Sequence, residues 1–204
     1  MVMLLVIRWS SLFALVFTSL AIMGSPGPAT ISLTGSGVAF GVRRSTRYLA
    51  GIILGTTVVL AGVAAGVTGA LLAVPAARPV LIAVAAGYIL YLALHIATAP
   101  PLGTRSDAAA APSLAGGLLL GVANPKAWVA IAAVFVSVRL ASAAAVDAGL
   151  KTCVLVVMIV IINTSWLAAG ASLAPILRDP VRSRRANLAL AAALILSTGA
   201  ALLH

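Results

Sequence analysis

The chain has 204 residues, of which 63% are hydrophobic and only 8% charged, and its mean hydropathy is +1.21. A soluble domain carries roughly 25% charged residues to solvate its surface, so this composition excludes a water-facing globule. It points to an all-α, polytopic membrane protein, whose partner is the lipid bilayer. The net charge of +10 does not mark a nucleic-acid binder. Arg and Lys fall mainly in short gaps between apolar runs, as topogenic charge does, and form no aromatic-rich basic face. The single cysteine, Cys153, offers no intrachain disulfide or cysteine metal site. It lies inside an apolar run and is expected in the core.

Punctuation by charge, Gly and Pro divides the chain into about six spans of the length that crosses a bilayer, ~20 residues, within a single transmembrane domain over 1–204. Span 1 covers 9–35; its h-region-like segment is read as a retained span rather than a cleaved signal, because Arg8 is the one early charge and Ser25-Pro26-Gly27-Pro28 is a poor cleavage zone. A basic turn over 41–47 holds Arg43, Arg44 and Arg47. Span 2 covers 48–74, with Gly51-x-x-x-Gly55 and Gly62-x-x-x-Gly66 suited to close helix approach. Span 3 covers 80–99 and carries Tyr88, Tyr91 and, near its end, His95 as an interfacial residue. A hydrophilic connector, 100–113, leads to span 4 over 114–138. A small-residue loop around Asp147 precedes span 5, 152–174, in which Asn163 and Trp166 interrupt the apolar run. A basic loop holds Arg178, Arg182, Arg184 and Arg185, and span 6, 187–204, is the shortest.

The loops after spans 1, 3 and 5 carry eight Lys and Arg, against four on the other side. The first set is therefore expected in the cytoplasm, which leaves both termini outside a cytoplasmic (inner) membrane.

The informative feature is a pair of helix breaks, Ser25-Pro26-Gly27-Pro28 in span 1 and Asn124-Pro125-Lys126 in span 4. Divided at 102, the chain has three spans in each half, 1–102 and 103–204, and each break falls in the first span of its half. Three spans reverse the direction of entry, which is the arithmetic of a 3+3 inverted repeat. Broken helices at corresponding positions then point to the substrate site. Ser25 and Asn124 read as N-caps, with Pro26 and Pro125 at the first helical position. The helix ends beyond them would offer free N–H groups to a carboxylate. The plainer alternative is a proline kink repaired by its neighbours.

Lys126 lies about 12 residues from either end of span 4, roughly 18 Å from either surface, so its ammonium group is a candidate substrate contact. The alternatives are a lysine satisfied by backbone carbonyls, or one near the cytoplasmic face because span 4 re-enters rather than crossing straight. All three acids, Asp107, Asp147 and Asp179, are read in loops, which leaves an amine to be recognised by freed carbonyls or by Thr30, Tyr88, Tyr91 and Asn163. Asn163 alternatively bridges helices. No cofactor or metal is expected, since no His, Asp, Glu or Cys cluster has ligand spacing, and no nucleophile–base pair suggests an enzyme.

Taken in order, Gly24-Ser25-Pro26-Gly27-Pro28, the Gly-rich segment 37–55, Gly87-Tyr88-Ile89-Leu90-Tyr91-Leu92 and the segment 117–127 ending in Asn124-Pro125-Lys126-Ala127 resemble the LysE/RhtB-type amino-acid exporter family. The resemblance implies efflux of amino acids or related small metabolites, generally driven by the proton gradient. Two positions depart from the pattern. Ala29 stands where the family commonly has Asp, which removes a candidate cation or proton site, and Phe135-Val136-Ser137 stands in place of a Pro-Gln-Phe run. The expected function is secondary-active efflux, with Ser25, Pro26, Gly27, Pro28, Tyr88, Tyr91, Asn124, Pro125 and Lys126 contacting a small-molecule substrate. The alternative is a non-transporting membrane scaffold. Six short spans leave room for a homodimer as well as a monomer.

Overall fold

The computed structural model describes residues 9–66, 90, 94, 112–177, 179, 181, 182, 184–186, 188, 189, 192, 195 and 196. Spans 3 and 6, with Tyr88, Tyr91 and His95, therefore lie largely or wholly outside the described residues. Five helices make up the rest: α1 (Trp9–Ile22), α2 (Pro28–Ala64), α3 (Leu114–Ala123), α4 (Pro125–Ser137) and α5 (Ala144–Leu177). The described residues contain no strand. Helices α2 and α5, and the bent pair α3–α4, are long and apolar enough to cross a membrane.

Helix α2 is not one straight rod. Gly41 sits at φ 71°, ψ 173° in its middle, a conformation that glycine adopts without a Cβ penalty. Ser36 donates to the Ser45 hydroxyl at 2.8 Å, and Ser32 shares a hydrogen bond with Tyr48. Nine residues of continuous helix would separate two serines by about 13 Å, so the chain folds back at Gly41. The two limbs, 28–40 and 42–64, form an antiparallel hairpin. The basic residues read as a turn are thus already helical, and only Gly41 makes the reversal. The second limb stops at Gly66 (φ 79°), whose N–H reaches the Val63 carbonyl at 3.0 Å in the left-handed manner of helix ends.

The second half repeats this order. Helices α3 and α4 are bent by 58° at Asn124, and α5, after the turn that follows α4, packs chiefly against α2 and meets α4 only through side chains. That meeting is marked by the Lys151 ammonium 5.2 Å from the Phe135 ring centre and by a shared core of Ile131, Val134, Leu155 and Ile159. Helix α5 begins eight residues before span 5 was expected. Asp147, read as a loop residue, lies in its first turn, where the helix dipole favours an acid. It is buried, accepts from the Leu140 and Ala141 N–H groups at 2.6 and 3.1 Å, and pairs with Lys151 at 2.7 Å. Cys153, expected in the core, is exposed on the outer face of α5.

Small residues let the hairpins meet. A Cβ on Gly51 would strike the Leu114 carbonyl, and one on Gly55 the Leu118 carbonyl and Gly121. Gly117 and Gly121 meet the Tyr48 and Ile52 backbones in return. Gly51-x-x-x-Gly55 therefore packs as expected, against a matching Gly117-x-x-x-Gly121 on α3. The second expected pair divides: a Cβ on Gly62 would meet the Trp128 ring, whereas no described residue approaches Gly66. On the first limb, Gly37 sits against Leu167 and Gly170 of α5. These contacts hold the start of the first limb and the start of α4 against one core.

Candidate functional site

Both breaks open inside this core. After α1, the chain passes through Met23–Gly27 before α2 begins at Pro28. Gly27 is the N-cap here: its N–H donates to Thr30 Oγ1 at 2.8 Å, and the same hydroxyl donates to the Gly27 carbonyl at 3.0 Å. The reading of Ser25 as N-cap and Pro26 as first helical residue is thus corrected by two positions. The Ser25 hydroxyl instead turns back to the Ile22 carbonyl at 2.8 Å. At the second break the expectation holds: Asn124 is the N-cap, its Oδ1 accepts from the Lys126 N–H at 3.1 Å, and Pro125 opens the helix.

A broken helix leaves carbonyls without helical partners, and burial makes each of them costly. Distant side chains satisfy the first break. Trp166 Nε1 donates to the Gly24 carbonyl at 3.1 Å, and Lys126 Nζ donates to the carbonyls of Ser25 and Pro26, the latter at 3.0 Å. At the second break Trp128 Nε1 reaches the Val122 carbonyl at 2.9 Å. Lys126 thus spans from one break to the other. Gly27 makes room for it, since a Cβ there would collide with Lys126 Cδ; its backbone, at φ −168°, is ordinary extended chain.

A cavity lies where the breaks face each other, with a volume of about 40 Å³. By that measure one water occupies ~10–15 Å³, so about three waters fit. Its polar lining comprises Thr30, Thr56, Asn124, Lys126 and Asn163, and Met23, Ala130, Ile131, Ile159 and Ile162 supply apolar walls. Of the residues singled out from sequence, Gly27, Thr30, Asn124, Lys126 and Asn163 line this cavity. Ser25 and Pro26 contribute carbonyls to Lys126. Pro28 and Pro125 start the helices and do not line it, and Tyr88 and Tyr91 lie outside the described residues.

Sequence reasoning undervalued two groups. Asn163, read as a candidate amine contact or alternatively a bridge between helices, donates from Nδ2 to the Ile159 carbonyl of its own helix at 2.8 Å and lines the cavity. Thr56 went unremarked, because a threonine in an apolar run normally bonds back within its helix. It is buried at 7% exposure and has no hydrogen-bond partner among the described residues. No group of three or more potential metal ligands occurs among the described residues.

Over 84 residues the chain is 40% identical to proteins named cysteine/O-acetylserine efflux protein from Escherichia coli (strain K12), Shigella flexneri serotype 5b (strain 8401) and Shigella sonnei (strain Ss046). The similarity is to efflux proteins. It covers 41% of this chain, and the chain spans 41% of the length of each of these relatives. Their names are those of transporters, not enzymes. No family model and no solved structure matches the chain.

Proposed function

We propose that this protein exports amino acids or related small metabolites across the cytoplasmic membrane, exposing the cavity between its two broken helices alternately to either side. The observation that carries the reading is Lys126. A lysine from one break crosses to the other and lines a half-open cavity whose mainly apolar walls carry a few polar side chains. Two of its three N–H groups meet carbonyls, and the third is available to a carboxylate at the start of α4, where the helix dipole is positive.

The recurring order of short helix, break, helix and return helix supports rocking of two repeats about a shared site. The similarity to cysteine/O-acetylserine efflux proteins supports export and a small polar cargo. The proton gradient drives the cycle in this reading, and Lys126 is the titratable group lining the cavity. The chain crosses the membrane several times, with Arg43, Arg44 and Arg47 on the cytoplasmic side and both termini outside.

A second reading has one observation in its favour. Carbonyls of Ser25 and Pro26 satisfy Lys126, so the lysine would serve equally well as a strut in a membrane scaffold. Counterflow in proteoliposomes separates the two. Wild-type protein is expected to accumulate one class in a panel of labelled amino acids, and folded Lys126→Ala protein is expected to lose that uptake. Folded wild-type protein that moves none of the panel would favour the scaffold. Transport undiminished in Lys126→Ala would remove Lys126 from the site.

A further inference from the structure

Both return limbs bring a buried polar side chain to the level of the break that opens their hairpin. Thr56, on the second limb of α2, shares the cavity with Gly27, and Asn163, on α5, shares it with Asn124. Each has an unused oxygen. Thr56 has no partner among the described residues, and Asn163 spends Nδ2 on Ile159, which leaves Oδ1 as a free acceptor. Both residues are buried, at 7% and 6% exposure. Thr30, the remaining hydroxyl in the lining, is committed to both backbone groups of Gly27.

Buried polar atoms without partners are costly, and two of them aimed into one cavity call for a donor that arrives from outside. On the α4 side the available groups are all donors. They are the third N–H of Lys126 and the Asn124 amide, whose Oδ1 is occupied by the Lys126 N–H. The cavity is therefore uneven: only donors and the positive charge stand at the start of α4, whereas the free acceptor oxygens, Thr56 Oγ1 and Asn163 Oδ1, stand on the two return limbs, where the Thr56 hydroxyl can also donate.

We propose that Thr56 and Asn163 form an ammonium subsite opposite a carboxylate subsite of Lys126 and Asn124, so that the cargo is a small zwitterion with an uncharged side chain. This rests on the exporter reading above. Neutral oxygens suit an ammonium group whose charge is balanced by the substrate's own carboxylate beside Lys126. A second charge on the cargo would find no counterion among the described residues, none of which brings an acid to the cavity, and burying an unpaired charge is strongly unfavourable. Ile131, Ile159 and Ile162 wall the remaining space, and room for about three waters admits only a short side chain.

The test uses L-serine, N-acetyl-L-serine, which keeps the carboxylate but lacks the ammonium group, and L-lysine, in proteoliposomes holding the full chain. Wild-type protein is expected to carry L-serine and to reject the other two. Thr56→Val and Asn163→Leu should each raise the KM for L-serine about 10- to 100-fold, the range expected for lost hydrogen bonds to a charged group, and narrow the preference over N-acetyl-L-serine. Thr56→Ser keeps the hydroxyl and should bring the KM back toward the wild-type value, which separates the lost oxygen from lost packing. Wild-type protein that carries N-acetyl-L-serine or L-lysine as well as L-serine overturns the subsite and leaves the exporter reading standing. Folded Thr56→Val and Asn163→Leu proteins with unchanged preference overturn it too. Wild-type protein that moves no amino acid overturns the subsite together with the exporter reading.

Discussion

The crossing of α2 and α3 makes a quantitative demand. Gly51 and Gly55 face Gly117 and Gly121, and what an added methyl would meet at each is backbone: carbonyl oxygens, amide nitrogens and the opposing glycine Cα. A side chain could swing aside, but a helix backbone must move as a body. Overpacking of this kind costs about 1–3 kcal/mol, against a gain of roughly 0.5–1 kcal/mol when alanine replaces glycine within a helix. Gly55→Ala or Gly121→Ala should therefore cost the fold a net ~0–2.5 kcal/mol, in contrast to the gain expected where the added methyl meets nothing. Gly35→Ala is the control, because no described residue lies within 4 Å of the position its Cβ would take, and it should stabilise by ~0.5–1 kcal/mol. Gly55 and Gly121 touch each other, so the double substitution should cost less than the sum of the singles, since the first methyl opens the gap that the second needs. Reversible unfolding in lipid–detergent bicelles, followed by circular dichroism, reads all four proteins. If Gly55→Ala proves as stable as Gly35→Ala, the close crossing is wrong, and with it the positioning of the second break against the first hairpin.

Gly27→Ala should reduce transport about tenfold, the equivalent of ~1.4 kcal/mol, in protein that still folds, because the methyl displaces the Lys126 stem while the extended backbone tolerates any residue. Asp147→Asn keeps an oxygen for the Leu140 and Ala141 N–H groups but leaves Lys151 buried without its charge partner. A loss of about 3–5 kcal/mol is expected, partly recovered in Asp147→Asn/Lys151→Met; equal melting of wild type and single variant in detergent would show the pair to be dispensable. Thr46→Cys, made in a Cys153→Ser background, tests orientation, since Thr46 is exposed beside Arg43 and Arg47. A membrane-impermeant maleimide should label it in inverted vesicles and not in intact cells, and the reverse pattern would place both termini in the cytoplasm.

The sequence exposes what depends on chain-local chemistry and conceals what depends on partners. The run 114–138 reads as one broken span because its apolar stretch is interrupted only at Asn124-Pro125-Lys126, where cap, proline and charge agree. At the first break the side-chain preference of N-caps points to Ser25-Pro26, whereas the helix starts two residues later, at Gly27-Pro28. The choice is made by Thr30, three residues beyond Gly27, whose hydroxyl answers both backbone groups of that glycine. The early start of α5 hides behind an alanine-rich segment that looks like a loop when no neighbour is known, yet Asp147 caps the preceding turn and pairs within its own helix. Thr56 and Asn163 carry no local mark of their position. Their levels follow from where Gly41 and the turn after α4 reverse the chain, and only the folded hairpins bring them opposite the breaks.

That arrangement ties stability and function to the same atoms. In lipid no water repairs a broken helix, so freed carbonyls must be met by protein. Here the repair comes from long side chains on other elements, Trp166 and Lys126 at the first break and Trp128 at the second. A methyl-sized or purely apolar replacement at Lys126 would leave two buried carbonyls unmet as well as removing the charge, so loss of activity in Lys126→Ala alone does not separate strut from site. Lys126→Gln does: its amide can still donate to the carbonyls of Ser25 and Pro26 but carries no charge. If the lysine is a strut, Lys126→Gln should keep near-wild-type stability and transport. If the charge meets a carboxylate, stability should hold while the KM rises about tenfold or more, as expected when a charge-assisted hydrogen bond is exchanged for a neutral one.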